Sequence, residues 1–522
     1  MADNQLDLMI VNAAGAHGLY GELGAKLVAV EPPLWCRLIA GYVRDAGFTV
    51  KIIDAEALCW SPEEVARRVD RARPLLTCIA VYGHQPSAST QQMAGARAVA
   101  RAIKSVGGPH NTIMVGGHVS ALPVKTLCEE LVNYACIGEG PVTIVDLLRY
   151  AKRLGPAVAT VDWKAGSEVA PEMPSLADIP GLVWFNPGWR RDEAAVVVNP
   201  SAPLIDINKL HGNAWDLLPM QLYRAHNWQC FGNIGKREPY ASIHTTLGCP
   251  YKCSFCCINA PFESNVYRMR NPKDVVSEIL MLRAKHGVFT FKIVDEMFVL
   301  NEKHYTEICQ GIIEAFGGTE HVDLNIWAYA RIDTVKPHTL ALLRRAGIRW
   351  LALGIESADP KVRDGARKQM RNDDIVGVVR AIQAADINVI GNYIFGLRDD
   401  SFITMGETFN LACELNTEFA NFYSAMAYPG SPLYDQAVAN DWTLPESWRG
   451  YSQHNDDCRP LDTKHVTGAD VLRYRDDAFK AYFSRPRYLA MIREKFGPET
   501  EAHIHEMLGY NLRRKLLQEQ VA

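Results

Sequence analysis

Three cysteines stand close together in Cys249-Pro-Tyr-Lys-Cys253-Ser-Phe255-Cys256, spaced C-x3-C-x2-C. Three thiolates on one tight loop can hold three irons of a four-iron four-sulfur cube. The fourth iron then has no protein ligand and stays open to hard atoms of a bound molecule, such as an amine and a carboxylate. A closed zinc site is an alternative, but it needs a fourth ligand. Adjacent Cys257 is a conceivable one, and no Cys-x2-Cys or His-x3-His follows downstream. A chance group of buried thiols is the third reading. The chain has 13 cysteines, an odd number, and four of them fall within 249–257. In a reducing compartment that pattern argues for metal or redox chemistry over a disulfide framework.

Other residues of suitable chemistry recur after apolar runs. Asp295-Glu296 form an acid pair, either ligand contacts or a pair favoured by a helix N-terminus. Arg331 can clamp a carboxylate bidentately, or pair with Asp333 or Asp295. Glu356, followed by Ser357, ends the apolar run Trp350-Leu-Ala-Leu; such a charge is costly unless paired or functional. Gly391-Asn392 and Phe395-Gly396 place glycines in and after a strand, which weakens it unless a ligand or backbone approaches. Tyr428-Pro-Gly-Ser431 is either a lining loop or an ordinary turn. Near the N-terminus, Tyr82-Gly-His84-Gln-Pro-Ser87-Ala-Ser89-Thr90, Val115-Gly116-Gly117-His118 and Gly138-Glu139-Gly140 are polar or glycine-rich loops. Their glycines permit close backbone approach, and their hydroxyls can bond amide groups of a ligand.

The elements that must carry these loops alternate between strand and helix. In residues 1–154 strands are expected at 6–12, 48–54, 78–82, 112–115 and 135–137, with helices at 33–47, 62–72, 89–105, 123–131 and 141–152. This pattern predicts a doubly wound parallel sheet, whose ligands bind outside the carboxyl ends of the strands. Residues 155–240 are rich in Pro, Gly, Asp and Asn and read as a linker with a small β-element, 181–185 and 194–198. Residues 241–430 alternate again, with six strands at 242–247, 290–295, 323–329, 349–355, 388–395 and 419–427. That suits a partial parallel barrel with its chemistry on the C-terminal loops. Residues 431–522 read as mostly helical, at 469–483, 486–496 and 500–519.

Composition sets outer bounds. Of the 522 residues 48% are hydrophobic and 22% charged, which excludes a disordered chain, a collagen and a coiled-coil rod. A net charge of −4 argues against nucleic acid as a partner. No run of about 18 apolar residues offers a membrane span. The opening Met1-Ala-Asp-Asn-Gln-Leu-Asp7 lacks the features of a signal peptide, so a cytoplasmic location is expected.

With Phe255 ahead of the third cysteine, the loop resembles the signature of the radical S-adenosylmethionine (SAM) superfamily. Residues 1–150 resemble the cobalamin-binding domain fused ahead of many such enzymes, through Pro32-Pro33, Ile53-Asp54 and the Gly-Gly-His and Gly-Glu-Gly loops. The resemblance implies an α/β chain: a Rossmann-like cobalamin-binding sheet, a partial (βα)6 TIM-like radical SAM barrel, and a C-terminal helical region. It implies Cys249, Cys253 and Cys256 as ligands of a 4Fe-4S cluster whose open iron is chelated by SAM. It places Phe255, Asp295, Glu296, Arg331, Glu356, Ser357 and Asn392 near SAM. It places His84, Ser87, Ser89, Thr90, Gly116, Gly117, His118, Gly138, Glu139 and Gly140 near cobalamin. The Asp-x-His-x-x-Gly motif of cobalt-ligating domains is missing, since Gly15-Ala-His17-Gly-Leu-Tyr20 has neither its Asp nor its final Gly. No histidine lower ligand is therefore assigned, and His84 and His118 are read as wall residues.

The implied activity is methyl transfer. One SAM methylates cobalamin, a second yields a 5′-deoxyadenosyl radical, and the substrate radical takes the methyl group. The implied partners are a small-molecule substrate, in natural-product or sugar biosynthesis, and an external electron donor like flavodoxin or ferredoxin. A non-methylating rearrangement, cyclisation or oxidation with the same cofactors is a second reading, and a cobalamin or iron–sulfur sensor a third. No catalytic acid or base is singled out.

Overall fold

A computed structural model describes residues 5–13, 28–83, 88–154, 175–186, 192–370 and 374–519. The chain forms two compact units. The first holds 1–18, 33–222 and 257–264; the second holds 19–32, 223–256 and 265–522.

The first unit is built on strands β1 (Leu8–Asn12), β2 (Val50–Asp54), β3 (Leu76–Val81), β4 (Thr112–Gly116), β5 (Tyr134–Cys136), β6 (Leu182–Phe185) and β7 (Val196–Val198). They form one sheet in the order β2-β1-β3-β4-β5-β6-β7. The first five run parallel, with Ile10 of β1 in register with Ile52 and Cys78. The order reverses beside β1, which makes the carboxyl ends of β1 and β3 the ligand edge of such a sheet. The core is apolar on both faces, with Leu8, Ile10, Cys78 and Ile113 packed against Ile39 and Leu148 on one and Met9, Val11, Ile79 and Met114 buried on the other, as helix-covered parallel strands require. β6 and β7, read from sequence as a small separate β-element, extend this sheet antiparallel beyond β5.

The second unit carries strands β8 (Tyr240–Ile243), β9 (Thr246–Leu247), β10 (Arg268–Met269), β11 (Thr290–Ile293), β12 (Asn325–Arg331), β13 (Ile348–Glu356), β14 (Asn388–Phe395) and β15 (Phe419–Ser424). Six of them pair in the order β15-β14-β13-β12-β11-β8, all parallel. Helices Pro272–His286, Glu302–Ala315, Leu340–Arg345, Ile375–Ala384 and Phe402–Leu415 return the chain between them. Local chemistry marks the first of these: Asn271 caps it through Lys273 N, and Gly287, at φ 66, ends it. The expected strand 242–247 is interrupted, because Thr246–Leu247 turn away to pair antiparallel with Arg268–Met269. The expected helix 500–519 is two pieces, Pro498–Leu508 and Lys515–Glu519. Between them Arg514 is buried, donating to Asp476 and to the carbonyls of Gln453 and Asn455. At the N-terminal strand ends, Trp228 packs edge-on against Trp327 and Trp350 at 5.1 and 5.6 Å.

Candidate functional site

The cysteine loop leaves β9 through Gly248, at φ 85. Two backbone bonds clamp it: Ser254 N donates to Ala366 O at 2.9 Å, and Leu433 N donates to Ser254 O at 2.8 Å. Phe255 packs between two small apolar clusters, one around Val362 and Leu397, the other around Leu433 and Leu461. Cys249, Cys253 and Cys256 are all free thiols of intermediate exposure. Burial pushes the Cys249 thiol up to about 11, so a free thiolate there needs a cation or a metal beside it. Among the described residues no three His, Cys, Asp or Glu side chains are grouped to hold a single ion. Three thiols on one clamped loop, next to cations, fit a cube with one open iron.

Side chains at the strand ends surround this loop. Asp295 is fully buried, and Thr245 bonds it through both its amide, at 2.6 Å, and its hydroxyl. Burial holds its carboxyl above the usual range. Glu296 is pushed up to about 8 by burial, and its Oε2 is buried with no hydrogen-bond partner. Glu356 closes β13 with a left-handed φ of 64, a costly backbone state for a residue with a Cβ. Its Oε1 accepts from Lys368 Nζ at 2.5 Å, with both side chains under 10% exposed. Gly354 makes room for that pair: a Cβ there would lie 2.6 Å from Glu356 Oε1 and 2.7 Å from Lys368 Nζ. Burial works most strongly against the Lys368 charge, but Glu356 and Cys253 together raise the ammonium above its ordinary value.

The remaining positions are engaged within the fold. Arg331 bonds Asp333, Gln369 O and Cys253 Sγ. Ser357 is fully buried, its hydroxyl 3.2 Å from that of Thr408. Asn392 donates to Leu353 O at 3.2 Å and accepts from Asn421 at 2.9 Å. The space left by Gly391 is taken by the Tyr393 hydroxyl. Tyr428-Pro-Gly-Ser431 is a turn whose serine caps helix Pro432–Ala439. Lys368 was not legible as a site residue, because nothing in the sequence marks a lysine in a loop as the partner of Glu356.

In the first unit the loops after β3, β4 and β5 lie on the carboxyl edge. Gly116 admits the Val81 carbonyl where a Cβ would collide with it. Ser89 Oγ donates to Val81 O and accepts from His118 N at 2.8 Å. Thr90 Oγ1 lies 3.2 Å from His118 Nδ1. Ser120 bridges both backbone groups of Gly138, at 3.1 and 3.2 Å. Glu139 is buried and accepts from Ile205 N at 2.9 Å, while Tyr82 OH donates to Glu139 O at 2.9 Å. Trp35 stacks on Tyr82 at 4.5 Å. Gly138 and Gly140 have φ 86 and 96, and a Cβ on Gly138 would meet nothing closer than 3.9 Å. The room at Gly138 fits close approach to the backbone by a broad, flat ligand such as a corrin. Ser89 and Thr90 shape the edge from beneath, with their hydroxyls used inside the fold. His84, Ser87 and the Gly15–Tyr20 stretch lie outside the described residues.

A cavity of about 260 Å³ lies elsewhere, at the N-terminal ends of the barrel strands beside Gln229, Phe231, Asn325 and Trp350. It is at the opposite strand ends from the cysteine loop and takes no part in the site. Among the described residues no helix is long and apolar enough to cross a membrane.

Residues 22–148 match the family model of the B12 binding domain, and residues 243–412 match that of the Radical SAM superfamily. A protein of Pyrococcus horikoshii named as an uncharacterized methyltransferase is 25% identical over 460 residues, covering 88% of this chain and 89% of its own. The anaerobic magnesium-protoporphyrin IX monomethyl ester cyclase of Cereibacter sphaeroides is 26% identical over 429 residues, 80% of this chain and 62% of that protein. Among solved structures, TsrM from Kitasatospora setae, a radical S-adenosylmethionine methyltransferase with cobalamin and a 4Fe-4S cluster bound, superposes with a TM-score of 0.65 at 17% identity, over 93% of this chain and 90% of that one. OxsB, a cobalamin-dependent S-adenosylmethionine radical enzyme, superposes with a TM-score of 0.62 at 13% identity, over 96% and 72%. At these identities the likeness to the two solved structures is one of fold.

Proposed function

The chain belongs to the cobalamin-dependent radical SAM family, and from that premise we propose that it is a methyltransferase that places a methyl group on a carbon of a small-molecule substrate. The observation that carries the reading is the clamped loop that carries Cys249, Cys253 and Cys256, in one chain with a glycine-lined carboxyl edge of a parallel sheet. Methyl transfer is supported by the Pyrococcus methyltransferase, which matches nearly end to end. In this reading the substrate belongs to natural-product or sugar biosynthesis.

When bound, the cluster with SAM supplies a 5′-deoxyadenosyl radical that removes a hydrogen atom, and cobalamin supplies the methyl group. The protein's part is placement and exclusion of water. Cys249, Cys253 and Cys256 would hold the cluster through their thiolates. Glu296, with a buried unpartnered oxygen, is suited to accept from an ammonium group of SAM. Asp295, Ser357 and Asn392 brace the strand ends from within, and Lys368 holds Glu356 in place beside them. Gly138 leaves the most room for a corrin to come close to backbone, while Gly116, Gly117 and Gly140 make room for Val81, Ser89 and Val115 beneath it, with His118 and Glu139 as the wall behind. An external donor of the flavodoxin or ferredoxin kind supplies the electron.

A second reading keeps both cofactors without methyl transfer, and the similarity to the magnesium-protoporphyrin cyclase favours it. Incubation with methyl-labelled SAM separates the two. Label in the product, together with 5′-deoxyadenosine, is expected; an unlabelled product formed alongside 5′-deoxyadenosine would replace methyl transfer with rearrangement or cyclisation.

A further inference from the structure

Arg331 ends β12, and its side chain is 4% exposed. Its N–H groups are divided among three partners. Nε donates to Asp333 Oδ1 at 2.9 Å, and Nη2 donates to Gln369 O at 2.7 Å. Nη1 donates to Cys253 Sγ at 3.9 Å. The guanidinium carbon sits 3.8 Å over the ring of Tyr251, which lies between the first two cysteines of the loop. A guanidinium already spent on a carboxylate and a carbonyl no longer offers the parallel fork that a carboxylate clamp needs.

We propose that Arg331 sets the reduction potential of the iron–sulfur cluster, through its N–H···S bond to Cys253, instead of clamping the carboxylate of SAM. This rests on the reading that the three cysteines hold that cluster. Reduction adds one electron, taken from the external donor, and one negative charge to the cluster. An N–H donor at a ligand sulfur stabilises that state and raises the potential. Arginine keeps its charge at every working pH, so the effect is constant with pH.

The test is a redox titration of the full chain, reconstituted with iron and sulfide, without SAM, and read by the electron paramagnetic resonance of the reduced cluster. Arg331→Met is combined with Asp333→Asn, so that no carboxylate is left buried and alone. At the wild-type midpoint this pair is expected to lower the reduced-to-oxidised ratio about tenfold, a fall of about 59 mV for one electron. Arg331→Lys keeps the charge and falls less. Arg331→Leu with Asp333→Asn removes the same N–H donor and lowers the midpoint in the same direction, and decides the matter if the first pair does not load with iron. An unchanged midpoint in iron-loaded variants, with SAM binding lost in the Arg331 variants, overturns the proposal in favour of a carboxylate clamp. Wild-type protein that takes up zinc and no iron–sulfur cluster overturns the cluster reading itself.

Discussion

Glu31 and Lys292 meet as a two-pronged ion pair, Nζ lying 3.0 Å from each carboxylate oxygen, although 261 positions separate them. Their side chains are 6% and 2% exposed. His226 Nε2 stands 3.5 Å from the same carboxylate, and Lys292 Nζ lies 4.8 Å from the Trp327 ring. A short stretch from the N-terminal part of the chain is thereby fastened to β11, with a bridge between Val30 and Arg224 beside it.

Removing one member of that pair strands a buried charge. Lys292→Met is expected to destabilise the protein by about 3–5 kcal/mol, and Glu31→Gln added to it to recover most of the loss. Denaturant unfolding of the single and double variants checks this. Equal losses in both would show that packing, and not charge, holds the segment.

His118 makes stability fall with acid. Burial, helped by the Arg97 and Lys125 charges, depresses its imidazole to about 3, from 6.5. A depressed value means that its contribution is present above about pH 6.5 and is lost as pH falls toward 3, because the unfolded chain takes the proton first. Between pH 7 and pH 5 this amounts to about 2 kcal/mol. His118→Gln is expected to flatten the pH dependence of unfolding by about that amount, measured at the two pH values.

Gly116 is irreplaceable for a steric reason. A methyl group there would run into the Val81 carbonyl, and relieving such overpacking costs about 1–3 kcal/mol. Gly116→Ala is expected to lower stability by that amount and to weaken cobalamin uptake, read from the corrin absorbance of protein equilibrated with hydroxocobalamin. Gly138→Ala pays only for left-handed backbone, about 1–2 kcal/mol, since its Cβ would meet only the Pro261 carbonyl, at an ordinary contact distance of 3.9 Å.

Cys253→Ala separates the two cofactors. Iron content and 5′-deoxyadenosine formation should be lost together, while cobalamin binding is retained. Loss of cobalamin with retained SAM cleavage would contradict the assignment of the first unit.

What could be read from the residues was whatever has a local period or spacing. The parallel alternation, the cysteine spacing and the carboxyl-end position of Glu356 are of that kind. Pairings set by distant chain were not. The runs at 182–185 and 196–198 read as strands, but nothing local says that they join β5. Thr246–Leu247 pair with only two residues across a long loop, too few to leave a pattern. For Arg331 two acidic partners were open, and the structure supplies Asp333 together with a sulfur contact no motif encodes. The exchange between Glu356 and Lys368 crosses an irregularity in the β13–β14 pairing, where side-chain direction cannot be counted from sequence.

The two backbone bonds of Ser254 carry a practical meaning. They tie the middle of the cysteine loop to Ala366 and Leu433 with protein groups alone. The loop thus owes its shape to its neighbours and not to iron. Polypeptide stripped of its inorganic content by air or chelator should keep its mould intact. Refilling it under nitrogen then becomes a matter of supplying iron, sulfide and reductant, with no unfolding step in between.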